Sequence, residues 1–272
     1  MEQNNHAAQL SQAEQLFCAR IEDMARQLHR DAAPCFSRFL DEREQALAQQ
    51  TLRRLGFGSD RFCFWAGFDC PPTAPGRRML GLFPDYLALS EGITSDIWEE
   101  QFPICSLTLR WRRQDTVTHR DILGSLMGLD FKRELVGEIL VGEDHAVLFC
   151  TPTAAGVIER ELSRVGRVGV QVQTGFQEPL LPAFSLEYHS GTVSSMRLDC
   201  VVAMMLSLSR EKSAALIEGG QVNLNFLEEQ RCACQLRQGD ILSVRGHGRF
   251  VVWEIGSSSK KGRLHLTVGR YI

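Results

Sequence analysis

The sequence predicts an α+β protein of three small domains. An N-terminal α+β domain is expected over residues 1–100, a ferredoxin-like split βαβ domain over 101–176, a linker over 177–192, and a basic module of two short helices and short strands over 193–272. Three observations lead there. The 272 residues, 44% apolar and 23% charged, suit two or three globular domains at roughly 100 to 200 residues each. The hydrophobic period switches between helical and strand spacing, in the order β-α-β-β-α-β through the middle of the chain. The net charge of −3 is uneven: residues 193–272 carry 11 Lys+Arg against 7 Asp+Glu, and the rest carries 19 against 26. Basic charge gathered at one end of an acidic carrier points to a nucleic-acid-binding module.

Taken in order, Ser11 and Glu14 have capping-box spacing and precede Phe17, Ile21, Met24 and Leu28, an amphipathic helix. A second helix starts near Asp41, with Glu44 three residues on, lines up Leu47, Ala48, Leu52 and Leu55, and stops at Gly56. RFCFWAGF and MLGLF then read as two strands joined by the Pro/Gly-rich loop DCPPTAPGRR. In the central segment Leu107, Leu109 and Trp111 alternate with polar residues, and Thr118 with Asp121 caps a helix through Ile122, Leu126 and Met127. LVGEILV and AVLFC flank the polar turn from Gly142 to His145. Thr151-Pro152 opens a helix closing at Gly166, and Val168, Val170 and Val172 alternate again. RNA-binding domains of this topology stack bases on aromatic residues of their central strands. AVLFC offers only Phe149, expected in the core, so the sheet reads as a scaffold or protein-contact surface.

The basic module begins with Ser195 as the expected cap of a helix carrying Leu198, Val201, Val202, Met205 and Leu206. Ser209 then caps a second helix, Arg210 to Glu218, with Ala214, Leu216 and Ile217 inward, ended by Gly219-Gly220. Arg197, Arg210 and Lys212 stand in the first turns, where positive charge opposes the helix dipole and unpaired backbone N–H groups are expected; an anionic partner such as a phosphate backbone explains that placement better than folding does. Short strands with basic turns follow.

SxRLDxxV, LSRxKxxxLIEGGxVxxN, LxxGDxLSVRGxGRF and KKGRxxLTVGRY resemble the RNA-binding domain of ribosomal protein S-four type as carried by the bacterial YlmH family. The upstream order of domains, including DILGSLMGLDFKRE, is similar to that family as well. The resemblance implies a bacterial cytoplasmic RNA-binding protein linked to the large ribosomal subunit, to stalled peptidyl-tRNA in ribosome-associated quality control and, by association, to cell division. It implies RNA contacts by Arg197, Ser209, Arg210, Lys212, Arg245 and Arg249. Lys260, Lys261 and Arg263 form a further basic turn expected to meet phosphates. Arg197 has an alternative role, pairing with Asp199 or Glu218 to hold the module together.

Other classes find less support. No run approaches the roughly 18 apolar residues of a membrane span, and the start lacks a secretory pattern, so a soluble cytoplasmic protein is expected, with no DNA or membrane partner. The nine cysteines are odd in number and scattered, which suits reduced thiols. Cys232 and Cys234 form a lone C-x-C without a second pair, so no metal is expected. Asp144-His145 with Cys150 reads as a hairpin tip rather than a nucleophile pair. Gly246-His-Gly248 lacks a dinucleotide fingerprint, and P-loop, HExxH and GxSxG motifs do not occur, so no cofactor and no catalytic residue is expected. Arg197-Leu198-Asp199 is also similar to a pseudouridine-synthase tripeptide, but without the surrounding catalytic domain. The alternatives are an RNA-modifying enzyme that uses the module for delivery, or a protein-protein adaptor.

Overall fold

The computed structural model describes residues 10–70, 74–89, 95–129, 132–176, 185–258 and 262–272. They fall into two compact units, one up to residue 176 and one from 185.

In the first unit α1 (Gln12–Asp31) has the full capping box. Glu14 Oε2 accepts from the Ser11 amide at 2.8 Å, and Ser11 Oγ accepts from the Glu14 amide at 3.3 Å. The Arg43 guanidinium, 2.5 Å away, and the Ser11 backbone amide hold the Glu14 carboxyl down to about 2. A strand not expected from the sequence, β1 (Cys35–Leu40), precedes α2 (Glu42–Arg54). Its pairing register shifts between Phe36 and Phe39, and such a bulge erases the period-2 alternation by which a strand is recognised. Asp41 and Glu44 close a second capping box, while Leu55, expected inward, is 43% exposed because it caps the helix end. β2 (Phe62–Trp65) and β3 (Arg78–Leu82) pair as expected, and the sheet order is β1-β3-β2. Helices α1 and α2 cover one face through Ile21, Leu28, Ala48 and Leu52 against Leu40, Leu80 and Leu82.

After α3 (Ser95–Glu99) come β4 (Cys105–Arg110), α4 (His119–Met127), β5 (Val136–Val141), β6 (His145–Cys150) and α5 (Pro152–Glu161). A tiny hairpin, β7 (Arg164–Val165) and β8 (Val168–Gly169), precedes β9 (Gln171–Thr174). Strand order β5-β6-β4-β9 with every neighbour antiparallel is the split βαβ arrangement. Ile122, Leu126, Ala155 and Ile158 of α4 and α5 pack on Leu107, Leu109 and Leu148. Helix α5 stops before the expected Gly166, which instead takes φ +55° in the β7–β8 turn, a conformation glycine adopts without strain.

The opposite face of this sheet is also covered. Leu140, Val147 and Phe149 pack against Phe39, Met79, Phe83, Trp98 and Phe102 from the preceding segment. At Gly137 of β5 a Cβ atom would lie 2.5 Å from the Phe39 ring, so only glycine permits that approach. The described residues of 10–100 and 101–176 therefore share the cluster between their two sheets and stack as helices, sheet, sheet, helices, instead of standing as separate domains.

The second unit holds β10 (Leu186–Val193), α6 (Leu198–Met205), α7 (Arg210–Glu218), β11 (Val222–Leu224), β12 (Leu227–Glu228), β13 (Ile241–Val244), β14 (Gly248–Ser258) and β15 (Leu264–Tyr271). The order is β10-β15-β14-β13-β11-β12, all antiparallel. The expected linker over 177–192 is corrected in its described part: residues 186–193 pair along their whole length with β15. Both helices sit on one face. Leu198, Val201, Val202, Met205 and Ile217 meet Leu242, Val244, Phe250, Val252, Leu266 and Val268.

Candidate nucleic-acid interface

The first helix of the C-terminal unit starts at Arg197, which occupies the cap position without a side-chain capping bond; Ser195 was expected there. Ser195 and Ser194 instead lie at 3.6 and 3.5 Å from the Cys200 sulfur. The helix start is closed by its own chain. The Leu198 and Asp199 amides donate to the carbonyls of Cys234 and Cys232 at 2.8 and 3.2 Å, and the Cys200 amide donates to Asp199 Oδ1 at 2.9 Å. The free amides expected here are thus used internally, leaving side chains to meet an anion.

Those side chains are organised by Asp199. Arg197 forks onto its two oxygens at 3.0 Å each, and Arg210 donates to Oδ2 at 2.8 Å. The Asp199 side chain is 8% exposed, while those of Arg197 and Arg210 are 36% and 61% exposed. A buried carboxylate thus holds two guanidiniums at the surface. The Arg197 hydrogen bonds, followed by that from Arg210, hold the Asp199 carboxyl far below its ordinary range against the opposing effect of burial. Ser213 Oγ donates to the Asp199 carbonyl at 2.9 Å and pins α7 to α6; this buried serine, rather than the expected Ala214, fills the inward position. Ser209 caps α7, its Oγ accepting from the Lys212 amide at 3.3 Å, and Lys212 is exposed in the first turn.

The remaining basic positions divide. Arg263 donates to the Thr192 carbonyl at 2.9 Å, on the strand that leads into Arg197. Arg245 stands exposed in the β13–β14 turn, its amide donating to Gln221 O. β14 runs from Gly248 beside that turn to Ser258 opposite Leu264, so Arg245 and Arg263 lie at opposite ends of it, roughly 30 Å apart at strand spacing. Arg249 lies on the other face: Phe250 and Val252 point to the helices, so its side chain points away, and its guanidinium sits 5.0 Å over the Phe226 ring. Lys260 and Lys261 lie outside the described residues. The structure joins Arg197 and Arg210 on Asp199, at helix starts that also carry Ser209 and Lys212, ties Arg263 to the strand before Arg197, and turns Arg249 to the other face of the sheet.

The other candidates are structural. Asp144 and His145 pair at 2.9 Å at the hairpin between β5 and β6. Cys150 closes the far end of β6, its buried thiol pushed up to about 12. The Cys232 sulfur lies 3.7 Å from Glu218 Oε1, and burial raises both the Cys232 and Cys234 thiols. Phe149 is 1% exposed, stacked on Phe68 at 4.7 Å. No helix of the described residues is long and apolar enough to cross a membrane.

Residues 99–177 match the family model described as "Putative RNA-binding domain in YlmH". A solved structure, cell division protein ylmH from Streptococcus pneumoniae, is 16% identical with a TM-score of 0.49, over 61% of this chain and 93% of that one. Ribosome-associated protein quality control protein P2 of Bacillus subtilis (strain 168) is 30% identical over 234 residues, 85% of each chain. With that identity over that span, the chain belongs to the YlmH family.

Proposed function

We propose that the protein is a cytoplasmic, non-enzymatic RNA-binding factor that acts in translation or in ribosome-associated quality control. It docks on structured RNA, ribosomal RNA of the large subunit with or without transfer RNA, through an S-four-type module formed by the C-terminal unit. The observation that carries this reading is the Asp199 clamp, which presents Arg197 and Arg210 beside Lys212 at two helix starts. Each guanidinium keeps donors beyond those given to Asp199, and a positioned guanidinium matches a phosphate with little further loss of side-chain entropy. The family model and the name of the Bacillus subtilis relative support an RNA-directed and ribosome-associated role. The basic groups at both ends of β14 suit contact with the backbone of a folded RNA, read by shape rather than by base edges.

The test is co-sedimentation with separated small and large ribosomal subunits across a salt series. Binding to the large subunit should weaken steeply with salt. The Arg210→Ala/Lys212→Ala variant should keep its fold and flatten the log-log slope by about 0.7 to 0.9 per lost contact. An unchanged slope, or no binding to either subunit, overturns the assignment.

A further inference from the structure

The sheet of the C-terminal unit has a second face, and neither α6 nor α7 packs on it. Directly paired residues of antiparallel strands share a face. The row Ile241, Val251, Gly269 and Tyr188 therefore runs across β13, β14, β15 and β10 on the side away from the helices. Ile241 and Val251 are buried, whereas Tyr188 is 51% exposed. The β14–β15 register shifts between Val252 and Glu254, and this bulge sets Trp253 outside the ladder, 43% exposed. Its ring meets that of Tyr188 edge to face, with centroids 5.2 Å apart. Ser190 and Thr267, one pair further along, share a hydroxyl contact at 3.0 Å. Arg249 over Phe226 occupies the same side of β14.

We propose that this face is a binding site for unpaired nucleobases of single-stranded RNA, which stack on Trp253 and Tyr188. The residue types favour a base over a protein partner. The large exposed apolar groups along these strands are flat rings, and the aliphatic side chains beneath them are already buried; a base needs such a π surface with polar groups at its edge. The Ser190 and Thr267 hydroxyls supply the edge. β10 carries Tyr188 near its start and Thr192, the anchor of Arg263, near its end.

The site is tested with the full chain, using oligouridine, oligoadenine and an RNA hairpin as probes. Of the four tryptophans, Trp98 and Trp111 are buried and Trp65 is half-buried, so quenching that disappears in Trp253→Phe reports occupancy at Trp253. The expected result is that both single strands quench. Tyr188→Leu/Trp253→Leu should lower their affinity roughly ten- to a hundredfold, Trp253→Phe should retain most of it, and hairpin binding should be unchanged. Because Tyr188 lies opposite Gly269 and could be needed to cover it, a second measurement uses the unmodified protein: 4-thiouridine in the oligouridine should crosslink to Tyr188 or Trp253. Wild-type protein that binds neither oligonucleotide overturns the proposal and leaves the face to a protein partner. Crosslinks confined to the helix starts, or a folded double variant of undiminished affinity, overturn it as well. Hairpin binding reads the helix starts, so failure of this site and failure of the proposed function are told apart.

Discussion

Two antiparallel sheets of this molecule carry aromatic side chains on the face away from their neighbouring α-helices, and the chain treats them in opposite ways. On the central sheet Phe149 lies under Phe68, Phe176 and the first sheet, 1% exposed. On the C-terminal sheet Tyr188 and Trp253 meet only at their edges and remain open. Neither topology nor the presence of a ring decides whether a sheet face can meet a base; what the rest of the chain lays over it does. The segment matched by the RNA-binding family model is the one whose sheet face is sealed.

The comparison breaks most readily through Phe149. Phe149→Ala should destabilise the first unit by about 3–5 kcal/mol, measured by urea unfolding; a loss below 1 kcal/mol would mean that the face is not a working core. Next comes Asp199→Ala, which leaves two guanidiniums facing each other without their shared carboxylate. A loss of about 1–3 kcal/mol in the C-terminal unit is expected, together with weaker hairpin RNA binding. Its pH dependence has a definite sign. The folded carboxyl is depressed, so its contribution is present above the ordinary Asp value of about 3.9 and is lost as pH falls through and below it. Acid titration of unfolding should show that loss in the wild type and not in Asp199→Asn.

Glu138 behaves in the opposite sense. Burial raises its carboxyl, although its Oε1 accepts from the Arg77 amide at 2.6 Å. Its contribution is greatest below the ordinary Glu value and falls as pH rises through the folded value. Glu138→Gln should therefore modestly stabilise the first unit at neutral pH, and equal melting temperatures at pH 7 and pH 4 for wild type and variant would refute this. The smallest effect belongs to the open rings: Trp253→Ala should change unfolding free energy by about 0.5 kcal/mol or less. A larger loss would place Trp253 in a core and erase the contrast with Phe149.

Much of the fold was legible because its signals are local. The capping boxes at Ser11, Asp41 and Thr118 and the alternation around Leu107 and Leu109 lie within a few residues. What was hidden depends on distant partners. β10 reads as polar linker because it is an edge strand with Val193 as its single buried residue, and β1 is masked by its bulge. Among the candidate residues, motif spacing placed Arg197 and Arg210 together, and the pairing of Arg197 with Asp199 was one of its two expected roles. It could not show that Arg249 faces away from them, because the face of a strand residue follows from register. For the same reason Tyr188 and Trp253, on strands joined only through β15, carried no signal in the sequence.

The placement of β15 between β10 and β14 also has a kinetic meaning. The α6–α7 hairpin is built from short-range contacts and can form early, whereas β10 must wait for residues 264–271 before it gains a partner. Closure of so long a loop is slow relative to helix formation. During synthesis the arginine-bearing helices would therefore emerge, and could fold, before the sheet that supports them, and the nascent unit would wait with an unpaired edge until β15 is made.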